Sequence, residues 1–237
     1  YNVFDEPCCN GDDTGAIGKG LNAWASGTVI RNNLFMNVTG GQNGRFGVYL
    51  DNAVGSEVVS NLFYNVNESV MNNDISKYNT FRDNVTEKGP AVCAYSDDHT
   101  EFVIAAMTSG NESDLLNLYS YRRWVETFDY FDSHPAIKEE AMSLWPGLFE
   151  ITTDITRWRE KNFCENSSLV ITGNRSFNVK AEEPEFREIF AQYSTIEDNI
   201  VYDFTVNPIF VNPTIGDYRI RDGAGFPDIE FEKIGRY

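Results

Sequence analysis

The sequence predicts an all-β chain wound as a right-handed parallel β-helix, a solenoid of stacked three-sided coils, with a mainly helical insertion. Three observations carry this expectation. A strand motif built around asparagine recurs, a second short apolar strand precedes several copies, and the spacing between copies leaves no room for a crossover helix.

The motif runs Val29-Ile30-Arg31-Asn32-Asn33-Leu34-Phe35-Met36-Asn37-Val38, then Val58-Val59-Ser60-Asn61-Leu62-Phe63-Tyr64-Asn65-Val66, then Tyr78-Asn79-Thr80-Phe81-Arg82-Asp83-Asn84-Val85. Aligned on Asn33, Asn61 and Asn79, the copies are 61 − 33 = 28 and 79 − 61 = 18 residues apart, about one coil each. Further copies stand at Ile171-Thr172-Gly173-Asn174 and Ile196-Glu197-Asp198-Asn199-Ile200-Val201. The preceding strands are Gly15-Ala16-Ile17, Gly47-Val48-Tyr49-Leu50, Ser69-Val70-Met71 and Ala91-Val92-Cys93-Ala94. One coil cannot bury its apolar residues alone, so like should stack on like: Phe35 over Phe63 over Phe81, and Leu34 over Leu62. Asn33, Asn61, Asn79, Asn174 and Asn199 are expected at one turn, where asparagine tolerates left-handed backbone and its amide can bond the next coil's.

Between about 100 and 165 a helical pattern replaces the coils. Asp114 can cap a helix carrying Leu115, Leu118, Tyr119 and Val125. Ser133-His134-Pro135 opens a second helix through Met142, closed by Trp145-Pro146-Gly147, and a third stretch runs near 154–161. The chain therefore divides into coils over 1–99, a helical insertion packed on the solenoid over 100–165, and last coils with a closing segment over 166–237. The insertion is expected to cap the solenoid, dock a protein partner or wall a groove.

The chain has 237 residues, 41% of them hydrophobic, and no apolar run long enough to span a bilayer. Against 19 basic residues stand 36 acidic ones, a formal net charge of −17. That argues against a nucleic-acid partner, whose phosphates need lysine and arginine, and favours neutral glycans, cations or a basic protein. The chain opens on Tyr1 with no signal-peptide pattern, so it is expected to be processed or partial, with an N-terminal part of the same protein as a partner. Four cysteines, Cys8, Cys9, Cys93 and Cys164, permit three pairings into two disulfides. Neighbouring Cys8 and Cys9 are each expected to reach Cys93 or Cys164. Six Asn-x-Ser/Thr sequons, at Asn37, Asn67, Asn84, Asn111, Asn166 and Asn174, join the even cysteine count in predicting a secreted glycoprotein.

Gly11-Asp12-Asp13-Thr14-Gly15-Ala16-Ile17, Ser26-Gly27-Thr28-Val29-Ile30-Arg31, Gly47-Val48-Tyr49-Leu50-Asp51 and the Val59 to Val66 segment carry a resemblance. They resemble the right-handed parallel β-helix repeat proteins related to pectate lyases and to several glycoside hydrolases. The tail, Asn207-Pro208-Ile209-Phe210-Val211-Asn212-Pro213 with Gly216-Asp217-Tyr218-Arg219-Ile220, is similar to that group's C-terminal closure, and Trp145-Pro146-Gly147-Leu148 to its insertion. The resemblance covers nearly the whole chain and implies a carbohydrate-active or carbohydrate-binding protein. Members include lyases, hydrolases, epimerases and proteins without known activity. This chain departs from the group at Asn52, where a second acid is usual, and at Gly18, where an aromatic is usual.

Glycoside hydrolysis needs two carboxyls roughly 5 to 10 Å apart across one bond. Asp13, beside the first strand, and Asp51, ending the equivalent strand one coil later, form the candidate catalytic pair, with Asp12 able to raise a neighbour's pKa by like-charge repulsion. Lyase chemistry needs a base and a cation to neutralise a uronate, which makes Lys19 and Arg45, together with Tyr49, the candidate substrate-binding residues. Calcium is the one cofactor that chemistry suggests, yet no aspartate cluster has calcium-loop spacing. His99 and His134 have no partners at metal-ligand spacing, and there is no nucleotide loop, serine elbow or zinc motif. The expected function is binding or cleavage of a polysaccharide. The alternative is a non-catalytic structural glycoprotein of an extracellular matrix or surface complex.

Overall fold

A computed structural model describes residues 1–8, 10–11, 13–20, 27–41, 44–51, 53–73, 76–95, 109, 113, 119–144, 146, 149, 169–177, 194–202, 210–221 and 229. Three parallel sheets dominate these residues. The first holds β1 (Val3–Asp5), β4 (Leu34–Met36), β7 (Leu62–Val66), β10 (Val85–Lys88), β13 (Arg175–Phe177) and β15 (Ile200–Tyr202), in that order. The second runs β2 (Thr14–Gly20), β5 (Arg45–Asp51), β8 (Glu68–Asn73), β11 (Cys93–Tyr95). The third runs β3 (Val29–Arg31), β6 (Glu57–Val59), β9 (Thr80–Arg82), β12 (Val170–Thr172), β14 (Thr195–Glu197). From β1 to β9 the chain visits the three sheets in turn and returns one strand further along each, so neighbours in a sheet belong to consecutive rungs. The arrangement is solenoid-like. Helices α1 (Tyr119–Ser133) and α2 (Pro135–Leu144) fall inside the expected insertion, entered between β11 and β12. The Asp114 cap, Trp145 and Gly147 of the second closure, and the 154–161 stretch lie outside the described residues.

Apolar side chains facing inward form one buried cluster. Phe4, Phe35 and Phe63 share a register and stack with centroids 4.9 and 4.8 Å apart and planes within 8° and 6°. Thr86 and Ser176 continue this column, with Thr86 Oγ1 donating to Ser176 Oγ at 2.9 Å. Phe81 does not extend it, as had been expected. It sits on β9 in the third sheet, in register with Val58 and Ile171, and reaches the same core from another wall. Leu34 does lie on Leu62, and Val85 follows.

The displaced phenylalanine reflects a shifted repeat. Asn84, rather than Asn79, is the equivalent of Asn61, so that rung is 23 residues long. Asn33, Asn61, Asn84, Asn174 and Asn199 form a ladder in which each backbone N–H and each Nδ2 donates to the next Oδ1, at 2.9 to 3.2 Å. The residue before each ladder asparagine is left-handed: Asn32 at φ 56, Ser60 at 52, Asp83 at 55, Gly173 at 68, Asp198 at 56. Asn79 stands at a different corner, accepting from Ser56 N and donating to Ala53 O and Asn72 Oδ1.

The closing segment forms a hairpin of β16 (Phe210–Asn212) and β17 (Asp217–Ile220) around a 3-10 turn (Pro213–Ile215). Phe210 packs with Leu34, Leu62, Val85 and Phe177, which face outward from the first sheet. The tail thus covers one long side of the stack.

Candidate functional site

The register of the second sheet decides the fate of the expected carboxylate pair. Thr14 pairs with Arg45 and Gly20 with Asp51. Asp13, whose N–H donates to Gly44 O at 3.0 Å, therefore enters β2 at one edge of the sheet, while Asp51 leaves β5 at the other. Six strand steps of about 3.3 Å separate those edges by roughly 20 Å. That is at least twice the spacing two-carboxylate hydrolysis uses. The structure does not bring Asp13 and Asp51 together, and Asp12 lies outside the described residues.

The expected binding residues also separate. Lys19 pairs with Leu50, which is in the core, so its side chain turns inward, and Nζ donates to Val54 O at 3.0 Å and Ser56 Oγ at 2.6 Å. Burial pulls its pKa down to about 8. Lys19 is a corner tie rather than a ligand contact. Arg45 is likewise committed, its Nε to Gly11 O at 2.8 Å and its guanidinium to Thr39 O at 3.2 Å, which pins the segments leading into β2 and β5. Tyr49 alternates with buried Val48 and Leu50, so it faces outward, half-buried, with its ring 5.0 Å from that of Phe46. Asp51, two residues on, shares that face.

Cys8 is a free thiol at φ 62, with Thr14 Oγ1 donating to its sulfur at 4.0 Å. Pairing with Cys93 is not made, for a geometric reason. Cys93 lies over Met71, Tyr49 and Gly18, three rungs from the coil that carries Cys8. At about 4.8 Å per rung that is roughly 14 Å, against the 7 Å or less that a disulfide spans between Cα atoms. Cys9 and Cys164 lie outside the described residues.

Two sequons are closed by the ladder. Asn84 is 0% and Asn174 1% exposed, and both hydrogens of each Nδ2 are donated: Asn84 to Val58 O and Asn174 Oδ1, Asn174 to Phe81 O and Asn199 Oδ1. A glycan on either nitrogen is incompatible with this packing. Asn37 and Asn67 are half-buried after β4 and β7, and Asn111 and Asn166 lie outside the described residues.

A second cluster went unnoticed in the sequence. Asp5 Oδ1 accepts from Asn37 Nδ2 at 2.7 Å, Asn37 Oδ1 from Asn65 Nδ2 at 2.8 Å, and Asn65 Oδ1 from Lys88 Nζ at 3.0 Å. Asn65 N donates to Glu87 Oε2 at 2.8 Å. Beside this outer ladder the rings of Tyr64 and Tyr218 meet at 4.8 Å. Burial, reinforced by Glu87, raises the Tyr64 pKa; burial, then Tyr64, Asp5 and Glu87, raise that of Tyr218. The recurrence of Asn37 and Asn65 at the 28-residue spacing was the available signal, but nothing local announced Tyr218.

Among the described residues no three of His, Cys, Asp or Glu converge as metal ligands, and no helix is long and apolar enough to cross a membrane. His134 stacks on Tyr130, with Nδ1 facing Tyr130 O at 2.8 Å, which fits a helix junction. No family model, curated protein or solved structure matches the chain.

Proposed function

We propose that the chain is a right-handed parallel β-helix of the pectate-lyase-like kind, part of a secreted glycoprotein, and that it binds polysaccharide along the outer face of its second sheet. The observation that carries this reading is the placement of Tyr49 and Asp51 on one outward face of β5, with Asp13 roughly 20 Å away along the strand direction. An aromatic ring stacks on the apolar face of a sugar, and a carboxylate accepts from its hydroxyls. Groups strung along a strip suit an extended chain of sugars; cleavage of one bond needs them opposed across it. The net charge of −17 favours neutral or cationic glycans over uronates.

Calorimetry against a panel of neutral and charged polysaccharides tests the reading. Tyr49→Ala and Asp51→Asn should each lower affinity about tenfold, the loss of one good contact, and no reducing ends should appear. Release of reducing ends that Asp13→Asn or Asp51→Asn abolishes would replace binding with hydrolysis. Failure to bind any glycan would turn the assignment to the structural alternative.

A further inference from the structure

The outer ladder carries chemistry that the second sheet lacks. Asp5 and Glu87 accept only from amides: Asp5 from Asn37, Glu87 from the Asn65 backbone. Lys88, the nearest cation in sequence, sends Nζ to Asn65 Oδ1 instead. Ion pairs among the described residues engage Arg82, Lys138 and Arg219, so neither Asp5 nor Glu87 is charge-paired there. Tyr64 and Tyr218 are half-buried, their rings held against Phe210 by edge contacts at 5.7 and 5.8 Å. Among the described residues neither phenol hydroxyl has a hydrogen-bond partner. The outer side of the first sheet thus presents two rigid aromatic rings, two unfilled hydroxyls and two uncompensated carboxylates.

We propose that Tyr64 and Tyr218, flanked by Asp5 and Glu87, bind a glycan whose sugars carry free ammonium groups, a polymer or oligomer of 2-amino-2-deoxy sugars. An ammonium gains from a carboxylate through a charge-assisted bond and from a ring face through cation–π attraction. The neighbouring sugar hydroxyls satisfy the phenols, which act as donor or acceptor. An N-acetylated sugar offers no cation, and a uronate meets like charge. Asp5 and Glu87 lie on β1 and β10, three rungs or about 14 Å apart. The span suits an oligosaccharide better than a single sugar. This assignment deepens the polysaccharide reading but uses a different face, so each can fail alone.

The test is calorimetric titration of the whole chain with glucosamine oligomers of increasing length and with the matched N-acetylglucosamine oligomers. Glucosamine oligomers should bind more tightly with length and weaken in salt, and acetylated ones should bind at least tenfold worse. The Asp5→Asn, Glu87→Gln double variant, shown folded by an unchanged thermal melt, should lose at least tenfold in affinity. Tyr218→Phe keeps the packing and should lose severalfold, while Glu139→Gln, which removes an exposed carboxylate on α2 away from both sheets, should change nothing. Equal binding of acetylated oligomers, or an undiminished affinity in the folded double variant, overturns the proposal. A lysine peptide that binds as tightly as the amino-sugar oligomer also overturns it, by showing a general cation surface.

Discussion

Two asparagine ladders climb the same stack, and the amide means something different in each. The inner one, Asn33 to Asn199, follows a left-handed residue in every rung, and its central members, Asn61, Asn84 and Asn174, are almost wholly buried. The outer one, Asn37 and Asn65, is itself left-handed, at φ 57 and 55, and ends on charged groups, Asp5 at one side and Lys88 and Glu87 at the other. Burial makes the difference. An inner amide has no water to fall back on, so every donor and acceptor must be met by the next rung. An outer amide can exchange its partner for water or a ligand at little cost. One residue type with one periodicity therefore serves architecture in one column and stands open to recognition in the other.

Asn84→Ala breaks the inner column most directly. It removes the acceptor of Asn61 N and Nδ2 and the donors to Val58 O and Asn174 Oδ1. Leaving several buried groups unmatched should cost about 3 to 5 kcal/mol, read from the urea midpoint at unchanged slope. A loss below about 1 kcal/mol would mean that the buried ladder is no more demanding than an exposed one.

Gly173→Ala probes the turn that feeds the same column. Gly173 sits at φ +68, and a Cβ there would run into the Asp83 carboxylate of the preceding rung. The expected cost is about 1 to 3 kcal/mol by thermal or urea unfolding. Because the penalty has two sources, Asp83→Ala in the same chain should recover the steric part and leave the backbone part, about 1 kcal/mol. No recovery in the double variant would assign the whole cost to φ. Asn37→Ala, the matched change in the outer column, should cost about 0.5 kcal/mol, because water replaces its partners.

These two columns also mark where sequence reasoning succeeded and where it slipped. The rung strands, the Leu34–Leu62 stack and four of five inner ladder asparagines were legible, because identical residue types recur next to apolar pairs. The third copy was misread since Phe81 imitates Phe63 while occupying another sheet, and Asn79 imitates Asn61 from another corner. Only the hydrogen-bond register tells a 23-residue rung from an 18-residue offset. The carboxylate pair failed for a related reason: Asp13 and Asp51 sit next to equivalent strands, yet one precedes its strand and the other ends it. Tyr218 was invisible because it reaches Tyr64 through a tail 154 residues downstream, 218 − 64, whose folding back no local pattern states.

A further effect, one that only pH reveals, concerns Lys19, whose inward turn also resisted the sequence. Its ammonium is held by a carbonyl and a hydroxyl, with burial lowering its pKa from 10.5 to about 8. Between pH 8 and 10.5 the folded chain has released this proton while the unfolded chain still holds it. The unfolded state therefore binds more protons, and stability rises with pH across that window. Tyr64 and Tyr218 act in the opposite sense, since raised phenol pKa values mean stability lost as pH climbs past 10, but those residues are common to wild type and variant. Comparison with Lys19→Met isolates the lysine. Urea midpoints at pH 6 to 8 should differ by a constant amount between the two proteins, and from pH 8 to 10 the wild type should gain on the variant. A difference that stays level through pH 10 would mean that the buried amine titrates as if in water, so that the corner formed by Val54 and Ser56 is open to solvent like the outer ladder.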